Sequence, residues 1–412
     1  MTLLEAVREQ YAGYPYPVRD PEDERTRLLQ GLLSQVSLVN HLFWAGRRRF
    51  DVGFRALDAG CGTGDTAICL GEQLRGTGAS VVALDFSPAS LAVARERAAV
   101  RGLDNVEFVE GSIEHLPASG MEPFDYVVAS GVLHHLDSPE VGLAAVRDML
   151  KPDGGLAIMV YGRDGRSEVY QLQRLFSLLA PPTMAPQQRL RVVQRTLARF
   201  RPEHPATLYG ESFRREIDDQ GDAGLFDLFL HAQDRSYTVP EIYRWLEGAR
   251  LRLLDFDFPV GYDPRTWNAR IDYERFTTPE RHALAELLHG RMANHTFFAT
   301  RADYEPPPPP PPDDPAATPA WSYYDESGNR DRAIHEGRQM RVVAGVYTLQ
   351  VTLTAISRAL LQRVDSHTLL GEILHSTEAA FAAASAEKVR AEWLRLFGQL
   401  NSVHYLVMNP AD

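Results

Sequence analysis

One stretch decides the fold: residues 56 to 64 read Ala-Leu-Asp-Ala-Gly-Cys-Gly-Thr-Gly. Its apolar start predicts the end of a buried strand, and glycine at alternate positions predicts a tight turn that a ligand can approach closely. Residues 65–73 have the pattern of a helix, so the turn would present free backbone amides at a helix start. The dehydrogenase fingerprint G-x-G-x-x-G is not met, because Asp65 stands in its last position. The pattern present is acidic-x-G-x-G-x-G.

Alternating strand and helix patterns follow this turn for about a hundred residues. Ser80–Leu84 predicts a second strand that ends in Asp85, about 20 residues beyond the glycines, where an acid contacts ribose hydroxyls in nucleotide-binding units. Val106–Val109, Phe124–Ala129 and Leu156–Tyr161 predict three more strands. This alternation favours a parallel sheet with helices on both faces and a ligand at the carboxyl ends of its strands.

Three motifs carry a resemblance to a known family. The acidic-x-G-x-G-x-G turn, the segment Gly-Val-Leu-His-His-Leu at 131–136 and a predicted turn, Leu-Lys-Pro-Asp-Gly-Gly at 150–155, resemble the class I S-adenosyl-L-methionine (SAM)-dependent methyltransferases of the small-molecule type. The resemblance implies an α/β, doubly wound, Rossmann-like sheet with SAM as cofactor. It also implies methyl transfer by direct displacement, which requires no metal.

The resemblance assigns cofactor roles to residues at the strand ends. Asp58 would order the amino group of SAM, Asp85 would accept both ribose hydroxyls, and Phe86 would lie against the adenine. Capping of strand ends is the alternative for the two aspartates, and a core role is the alternative for Phe86 and Ile113. Many relatives carry an acid where Ser112 stands, which weakens that contact. The implied cofactor-binding set is Asp58, Ala59, Gly60, Cys61, Gly62, Gly64, Asp85, Phe86, Ser112, Ile113, Ser130 and Gly131.

The acceptor side is defined less sharply. His134 and His135 are the candidate catalytic residues, since one of them could deprotonate a hydroxyl or amine, although such histidines also pack or cap helices. The segment 231–237, His-Ala-Gln-Asp-Arg-Ser-Tyr, could line the pocket or form an interlocked turn with an ion pair. The candidate substrate-pocket residues are Tyr11, Tyr16, Tyr161, Arg163, His231 and Arg235.

Charge and motif content narrow the acceptor class. The net charge of −12 disfavours a large nucleic-acid footprint. The [DNS]-P-P-[YF] motif of amino-methylating nucleic-acid enzymes is missing after the fourth strand, where Ser130-Gly131-Val132-Leu133 stands. We therefore expect a small-molecule or peptide acceptor, with a SAM-binding regulatory or scaffold protein carrying a vestigial pocket as the alternative.

Composition shifts predict the domain organisation. Leu251–Phe258 and His295–Arg301 predict two further strands, the last one antiparallel, with a helix between them at 279–291. A proline run at 306–312 predicts a semi-rigid spacer. The predicted parts are an amino-terminal helical arm (1–50), a methyltransferase domain (51–302) with a helical substrate-side insertion (163–250), a proline-rich linker (303–317) and a small α+β accessory domain (318–412).

The two end regions carry weaker signals. Arg25–Phe50 has apolar residues at helical spacing and predicts one helix, and the Tyr14-Pro15-Tyr16-Pro17 segment could close over a ligand or pack as a strap. In the accessory domain, 346–353 and 403–408 predict strands, while 355–364, 368–375 and an apolar stripe at 389–400 predict helices. This domain is similar to peptide-binding PqqD-like and winged-helix modules; a role in core packing, or in forming a homodimer, is equally open.

Cysteine use and hydropathy bear on the compartment. Cys61 and Cys69 are the only cysteines and lack metal-ligand spacing, as expected for a reducing compartment. The start of the chain does not have the pattern of a signal peptide, and no apolar stretch reaches the roughly 20 residues of a membrane span. These patterns predict a cytoplasmic protein with no membrane partner.

Overall fold

The computed structural model describes residues 15–51, 53–204, 207, 211–231, 233–323, 328–344 and 347–411. Seven strands form its central sheet: β1 (Arg55–Ala59), β2 (Ser80–Asp85), β3 (Val106–Glu110), β4 (Phe124–Ser130), β5 (Leu150–Tyr161), β6 (Leu251–Phe256) and β7 (Asn294–Arg301). Their order is β3-β2-β1-β4-β5-β7-β6, and β7 is antiparallel to both of its neighbours. The doubly wound Rossmann-like fold predicted from the sequence is confirmed.

Helices cover both faces of this sheet and build the insertion. They are α1 (Val36–Trp44), α2 (Asp65–Gln73), α3 (Pro88–Arg101), α4 (Pro139–Asp148), α5 (Ser167–Leu179), α6 (Pro186–Leu197), α7 (Glu211–Leu230), α8 (Val239–Gly248), α9 (Pro264–Trp267) and α10 (Thr278–His289). The start of α3 is fixed by Ser87, whose side chain accepts a hydrogen bond from the Ser90 amide, with Pro88 at the first helical position. Because helices cover both faces, β1, β2 and β4 are buried along almost their whole length.

The Leu-Lys-Pro-Asp-Gly-Gly segment lies inside β5, where the sequence predicts a turn. Phe124 of β4 pairs with Leu150, but Tyr126 pairs with Gly155, so the four residues 151–154 stand opposite Asp125 alone and β5 carries three extra residues here. Gly154 turns back here, since a Cβ on it would lie 3.0 Å from the Lys151 carbonyl oxygen. The predicted turn is therefore a bulge-like irregularity near the start of β5.

The single helix expected over Arg25–Phe50 is shorter in the structure. Only Val36–Trp44 is α-helical, and short 3₁₀ turns cover Pro21–Arg25 and Leu32–Ser34. Gly31 and Gln35, on either side of the turn Leu32–Ser34, have extended backbones, and these interrupt the helix that the sequence predicts. The apolar residues also pack in two places, because Leu28 lies against Ile68 beside α3 while the α1 residues join the core under the sheet.

The insertion between β5 and β6 has a core of its own. Apolar side chains of α5, α6 and α7 pack together there, including Phe176, Val193 and Phe229. Within the insertion, the helical apolar pattern of this stretch starts only at Gly224, but α7 begins at Glu211 and is broken at Gly221, which has φ 56° and ψ −131°. Periodicity missed its first half because residues 214–222 are almost entirely polar.

The carboxy-terminal part is an α+β module. Its elements are β8 (Ala317–Trp321), α11 (Asn329–Glu336), β9 (Gln339–Ala344), β10 (Tyr347–Thr352), α12 (Ala355–Leu361), α13 (Leu370–Ala380), α14 (Ala386–Asn401) and β11 (Leu406–Pro410). The stripe predicted on α14 is buried, with Val389, Trp393 and Leu396 fully inaccessible. β8 and β9 are additions to the prediction; β8 contains Pro319 and pairs with β11 alone.

This module is fastened to the sheet rather than held at a distance. Phe258, just after β6, belongs to the module's apolar core. His404 Nε2 lies 3.4 Å from Asp255 Oδ2, next to the end of β6. The proline-rich segment is held at both ends, because the Tyr304 hydroxyl donates to the Phe43 carbonyl (3.0 Å) and the Trp393 indole donates to the Pro312 carbonyl (2.7 Å). A domain boundary near residue 302 remains a proposal.

Within the described ranges, none of the helices combines the length and the apolar character that a bilayer crossing needs.

Candidate active site

A cavity of about 470 Å³ lies at the carboxyl ends of β1, β2 and β4. Its size is in the range of small-molecule sites, and its position is the one that doubly wound sheets use for ligands. The predicted cofactor residues that line it are Asp58, Gly60, Cys61, Gly62, Asp85, Phe86, Ser112, Ile113, Ser130 and Gly131. Ala59 and Gly64 do not line it: Ala59 is buried in β1, and Gly64 caps the start of α2. Sequence motifs thus mark one half of the cavity.

The glycine turn is fixed against the neighbouring strand. The backbone amides of Gly60 and Cys61 both donate to the Leu84 carbonyl, at 2.8 and 2.9 Å. Gly60 has φ 81°, and a Cβ on it would lie 2.5 Å from Val132. Gly62 has φ 53°, and a Cβ there would lie 2.7 Å from the Tyr16 carbonyl oxygen. These two positions therefore exclude any side chain and keep the backbone open to a ligand.

Asp85 ends β2 with its carboxylate turned to this loop. Oδ2 accepts from the Gly62 amide and Oδ1 accepts from the Ser87 amide, both at 2.8 Å. Burial raises the pKa of Asp85, and these backbone amides oppose the rise. Each carboxylate oxygen has a second lone pair, so the group can still accept two hydroxyls.

Asp58 lies deeper, where β1 meets α2. Its Oδ2 accepts a hydrogen bond from the Ala67 amide at 3.0 Å. Burial raises the pKa of Asp58 to about 7, the Ala67 amide lowers it, and the negative charges of Asp85 and Asp65 raise it further. A cationic group in the cavity would favour the ionised form of this carboxyl.

The other half of the cavity is lined by side chains from distant segments. The Tyr16 hydroxyl donates to Glu216 Oε1 (2.7 Å), and the Tyr161 hydroxyl donates to Asp227 Oδ2 (3.2 Å). The Arg166 guanidinium lies over the Tyr161 ring, 3.5 Å from its centroid. All five of these side chains line the cavity, together with His135 and Met159.

Glu216 and Asp227 are the site residues that sequence reasoning missed. Asp227 gives a usable signal, because it is the one charged residue in the apolar run 224–230 and is 3% exposed. Glu216 gives none, since it stands among other charged residues of α7 and only the packing turns it inward.

The two candidate catalytic histidines lie in different places. His135 lines the cavity, and its Nδ1 donates to the Gln233 carbonyl at 2.8 Å, so its Nε2 lone pair is an acceptor. His134 is fully buried behind it, with ring centroids 4.1 Å from those of His135 and Tyr161, and both of its ring nitrogens are without hydrogen-bond partners among the described residues. Burial, followed by the charge of His135, lowers the pKa of His134 well below its usual range. His134 thus packs behind the cavity, which is the alternative that the sequence left open for these histidines.

His231 does not line the cavity but stacks on His135, with ring centroids 3.9 Å apart and planes 31° apart. Possible ligand atoms of His135, Asp227 and His231 lie within 4.8 Å of one another, a spacing that a metal ion could bridge. However, His231 Nδ1 accepts from the Gln233 amide (3.1 Å), so its neutral ring carries the proton on Nε2 and presents no lone pair there. The geometry favours hydrogen bonding over coordination, and the expectation of a reaction without metal remains a prediction.

Two further predicted pocket residues, Arg163 and Arg235, do not line the cavity. Arg163 is half-exposed and pairs with Glu241 at 2.8 Å. Arg235 pairs with Glu140 at 2.7 Å on the outer side of the 231–237 turn, which is the ion-paired turn that the sequence left open as an alternative. A long arginine side chain can keep its charged end in water beside a surface carboxylate, and this explains why both arginines lie outside the cavity. Tyr11 lies outside the described residues.

The segment from Tyr16 to Arg25 runs across the cofactor half as a strap. The Thr63 hydroxyl donates to the Pro17 carbonyl (2.8 Å), and Arg19 pairs with Asp65 (2.6 Å). Arg97 of α3 is buried and pairs with both Glu24 and Asp65 at 2.6 Å. The strap therefore packs on the core, and its Tyr16 also lines the cavity.

Comparison with known proteins agrees with this geometry. Residues 50–183, which contain the glycine turn, Asp85 and β1 to β5, match the family described as "Methyltransferase domain". The chain contains a class I SAM-dependent methyltransferase domain. SAM is the cofactor of this domain, as the sequence predicts.

Relatives of the methyltransferase domain differ in how much of the chain they share. The protein syc1184_c of Synechococcus sp. is 29% identical over 73% of this chain and 72% of its own length. The ubiquinone biosynthesis O-methyltransferase of Salmonella paratyphi A is 33% identical over 28% of this chain and 46% of its own length. The demethylmenaquinone methyltransferase of Staphylococcus aureus is 36% identical over 29% and 49%. The chain thus spans about half the length of the two named enzymes.

A solved structure shares more of the fold. PKMT2 from Rickettsia typhi, in its complex with AdoHcy, matches with a TM-score of 0.65 at 12% identity, over 92% of this chain and 76% of that one. At this identity the likeness concerns the fold. Its extent means that the match continues beyond the methyltransferase domain into the carboxy-terminal module.

Proposed function

We propose that this protein transfers the methyl group of SAM to a small-molecule or peptide acceptor by direct displacement. One observation carries the proposal: a single cavity is lined both by the strand-end residues of the cofactor half and by side chains from the strap, β5 and the insertion. A donor and an acceptor bound there would share one space, and alignment is what a displacement reaction needs most.

The cofactor half fits SAM by its chemistry. Asp85 would accept the ribose hydroxyls, Asp58 would face the amino group, and the backbone at Gly60 and Gly62 leaves room for close approach. Phe86, Ser112 and Ile113 would border the adenine, and Ser130 and Gly131 would face the methionine part. When bound, SAM supplies a methyl group made electrophilic by a positively charged sulfur.

His135 is the candidate proton acceptor in this proposal. Its ring lines the cavity and its Nδ1–H is held by the Gln233 carbonyl, which leaves the Nε2 lone pair for an acceptor's proton. Rotation of the ring is opposed by close contact with the tilted rings of His231 and His134.

The nature of the acceptor is not fixed by likeness to relatives, because the named enzymes differ in the acceptors they methylate. A nucleic acid is disfavoured, since seven acids and one arginine are found among the described lining residues. A SAM-binding regulator with a vestigial pocket is the remaining alternative, and the open cavity beside the cofactor half argues against it.

The proposal is tested by the fate of isotopically labelled methyl groups. We expect the protein, incubated with methyl-labelled SAM and a cell extract, to transfer label to the small-molecule or the peptide fraction, while the Asp85→Ala variant transfers none. Tight binding of S-adenosylhomocysteine (SAH) without transfer of label to either fraction would instead support the regulator.

A further inference from the structure

The charge of the chain is reversed in one part of the insertion. The whole chain has a net charge of −12, yet residues 169–202, which contain most of α5 and all of α6, include arginines and not a single acidic residue. These arginines are Arg174, Arg189, Arg191, Arg195, Arg199 and Arg201. A cationic segment in an otherwise acidic chain favours a partner with negative charge.

All of these arginines except Arg189 present their charge to the solvent. Arg189 donates hydrogen bonds to the Ala180 and Leu230 carbonyls. The other side chains are exposed, and none of them pairs with an acid or donates a hydrogen bond to a described residue. We refer to these residues as the arginine face: Arg174, Arg191, Arg195, Arg199 and Arg201.

Helix periodicity explains why the arginine face points outward. On α6, Leu190 and Val193 are buried in the core of the insertion. Arg191 and Arg195 stand one turn apart on the opposite side of this helix, and Arg199 continues the four-residue spacing just after the helix ends. The charges therefore lie in a row that extends over about 12 Å.

Two exposed leucines end α5 beside this row. Leu178 stands one turn after Arg174 on the solvent side of α5 and is 81% exposed, and Leu179 is 46% exposed. The hydrogen bond from Arg189 to the Ala180 carbonyl (2.9 Å) brings the start of α6 to this end of α5. Because contact of adjacent leucines with water is unfavourable, the surface suits a partner that also offers an apolar layer.

We propose that the arginine face, together with Leu178 and Leu179, docks on a membrane surface that contains anionic lipids. The arginines would contact the lipid phosphates, and the leucines would enter the acyl layer just below the headgroups. Such a peripheral contact needs no helix that crosses the bilayer, and it departs from the sequence expectation of no membrane partner. The inference goes beyond the proposed methyl transfer and does not depend on it.

The combination of charge and exposed leucines favours a lipid surface over other anions. A row of cations about 12 Å long matches several headgroups better than it matches a single acid. A nucleic acid would neutralise the arginines, but it offers phosphates and stacked bases to Leu178 rather than an apolar layer. An acidic protein would need a pocket shaped for the leucine, whereas fluid acyl chains accept it without one.

Docking would involve the helix that also reaches the candidate active site. Val169, near the start of α5, lines the cavity, and Leu178 follows it by about 14 Å along the helix. The docking surface and the acceptor half of the cavity are thus joined by one helix.

Co-sedimentation of the full chain with lipid vesicles tests the inference. We expect the protein to bind vesicles of phosphatidylcholine with about 30% phosphatidylglycerol at least tenfold more tightly than vesicles of phosphatidylcholine alone. The double variant Arg191→Gln/Arg195→Gln should bind the anionic vesicles about tenfold more weakly than the wild-type protein. Leu178→Ser should weaken this binding about threefold. Circular dichroism checks that each variant is folded.

Matched controls change the same residue types elsewhere on the surface. Arg270→Gln/Arg341→Gln removes two exposed arginines outside the insertion. Leu287→Ser removes a leucine of α10 that is 67% exposed. Both controls should bind the anionic vesicles as tightly as the wild-type protein does.

Three results would overturn the inference. The first is equal affinity for the two kinds of vesicle, or no measurable binding to either. The second is unchanged binding to anionic vesicles in the folded double variant or in folded Leu178→Ser. The third is tighter binding to single-stranded RNA or to polyglutamate than to anionic vesicles, which would assign the arginine face to a soluble polyanion.

Discussion

The two halves of the cavity are built in different ways. The cofactor half is formed by residues that stand within a few positions of the ends of β1, β2 and β4, and its contacts are largely with backbone amides. The acceptor half is formed by side chains from the strap, β5 and both segments of α7, which come together only in the folded chain. The first half is set by the topology of the sheet, and the second by the packing of one insertion.

This difference separates binding from selectivity. A carboxylate anchored by backbone amides keeps its place when neighbouring side chains change, so the cofactor half suits a constant ligand. Side chains on an inserted helix can be exchanged without disturbing the sheet, so the acceptor half can vary. Substitutions in the cofactor half should accordingly change the affinity for the cofactor, and substitutions in the acceptor half should change turnover.

The largest effect is expected at Asp85. Asp85→Ala removes the carboxylate that we propose accepts both ribose hydroxyls, which predicts a loss of about 100-fold or more in affinity for SAH. Calorimetric titration measures this loss, and circular dichroism checks that the variant is folded. Asp104→Ala, which removes an exposed acid, serves as control. Unchanged affinity in folded Asp85→Ala would refute the ribose assignment.

In the acceptor half, the two histidines should differ. His135→Gln removes the proposed proton acceptor and should lower turnover about 100-fold, with little change in the affinity for SAH. His134→Phe keeps the buried ring contacts and removes two nitrogens without partners, so turnover should stay within about fivefold. The rate of methyl transfer to any accepted substrate measures both. Equal losses in the two variants would mean that neither histidine acts on a proton.

The affinity of the cofactor half should depend on pH through Asp58. In the free protein the pKa of this carboxyl is raised to about 7. Because a cationic amino group favours the ionised form, affinity for SAH should rise with pH up to about 7 and level off above it, with a loss of roughly tenfold per pH unit below. Asp58→Asn should flatten the profile. A flat wild-type profile between pH 6 and 8 would place the amino group elsewhere.

The smallest effect is expected in the strap, which joins the two halves. Arg19→Met breaks a half-buried pair with Asp65 and should weaken SAH binding only about threefold, mainly through faster dissociation. Arg25→Met, which breaks the exposed pair with Glu22, is the control and should leave the dissociation rate unchanged. Stopped-flow displacement of bound SAH measures the dissociation rate of each variant. A loss as large as that of Asp85→Ala would mean that the strap holds the cofactor directly.

Sequence reasoning reached the cofactor half because its residues follow fixed rules. Strand ends meet at one edge of a parallel sheet, so the strand pattern places Asp58 and Asp85 together, and the resemblance to the methyltransferase family assigns their roles. The cap at Ser87 and the stripe on α14 were predictable for the same reason, since each depends on a local pattern.

The acceptor half depends on long-range packing, which local patterns do not record. Arg163 and Arg235 looked suitable for a pocket, but nearby acids hold both at the surface. Glu216 reaches the cavity only because α7 is broken at Gly221 and packed on α5 and α6. Asp227 could have been found as a lone charge in an apolar run, although its partner Tyr161 lies 66 residues away.

A crystal structure of the protein with SAH tests the central claim most directly. We predict that the ribose hydroxyls lie on Asp85 and that the sulfur faces the space between His135, Glu216 and Asp227. Electron density for SAH outside this cavity, or with its sulfur turned away from those three side chains, would contradict the account.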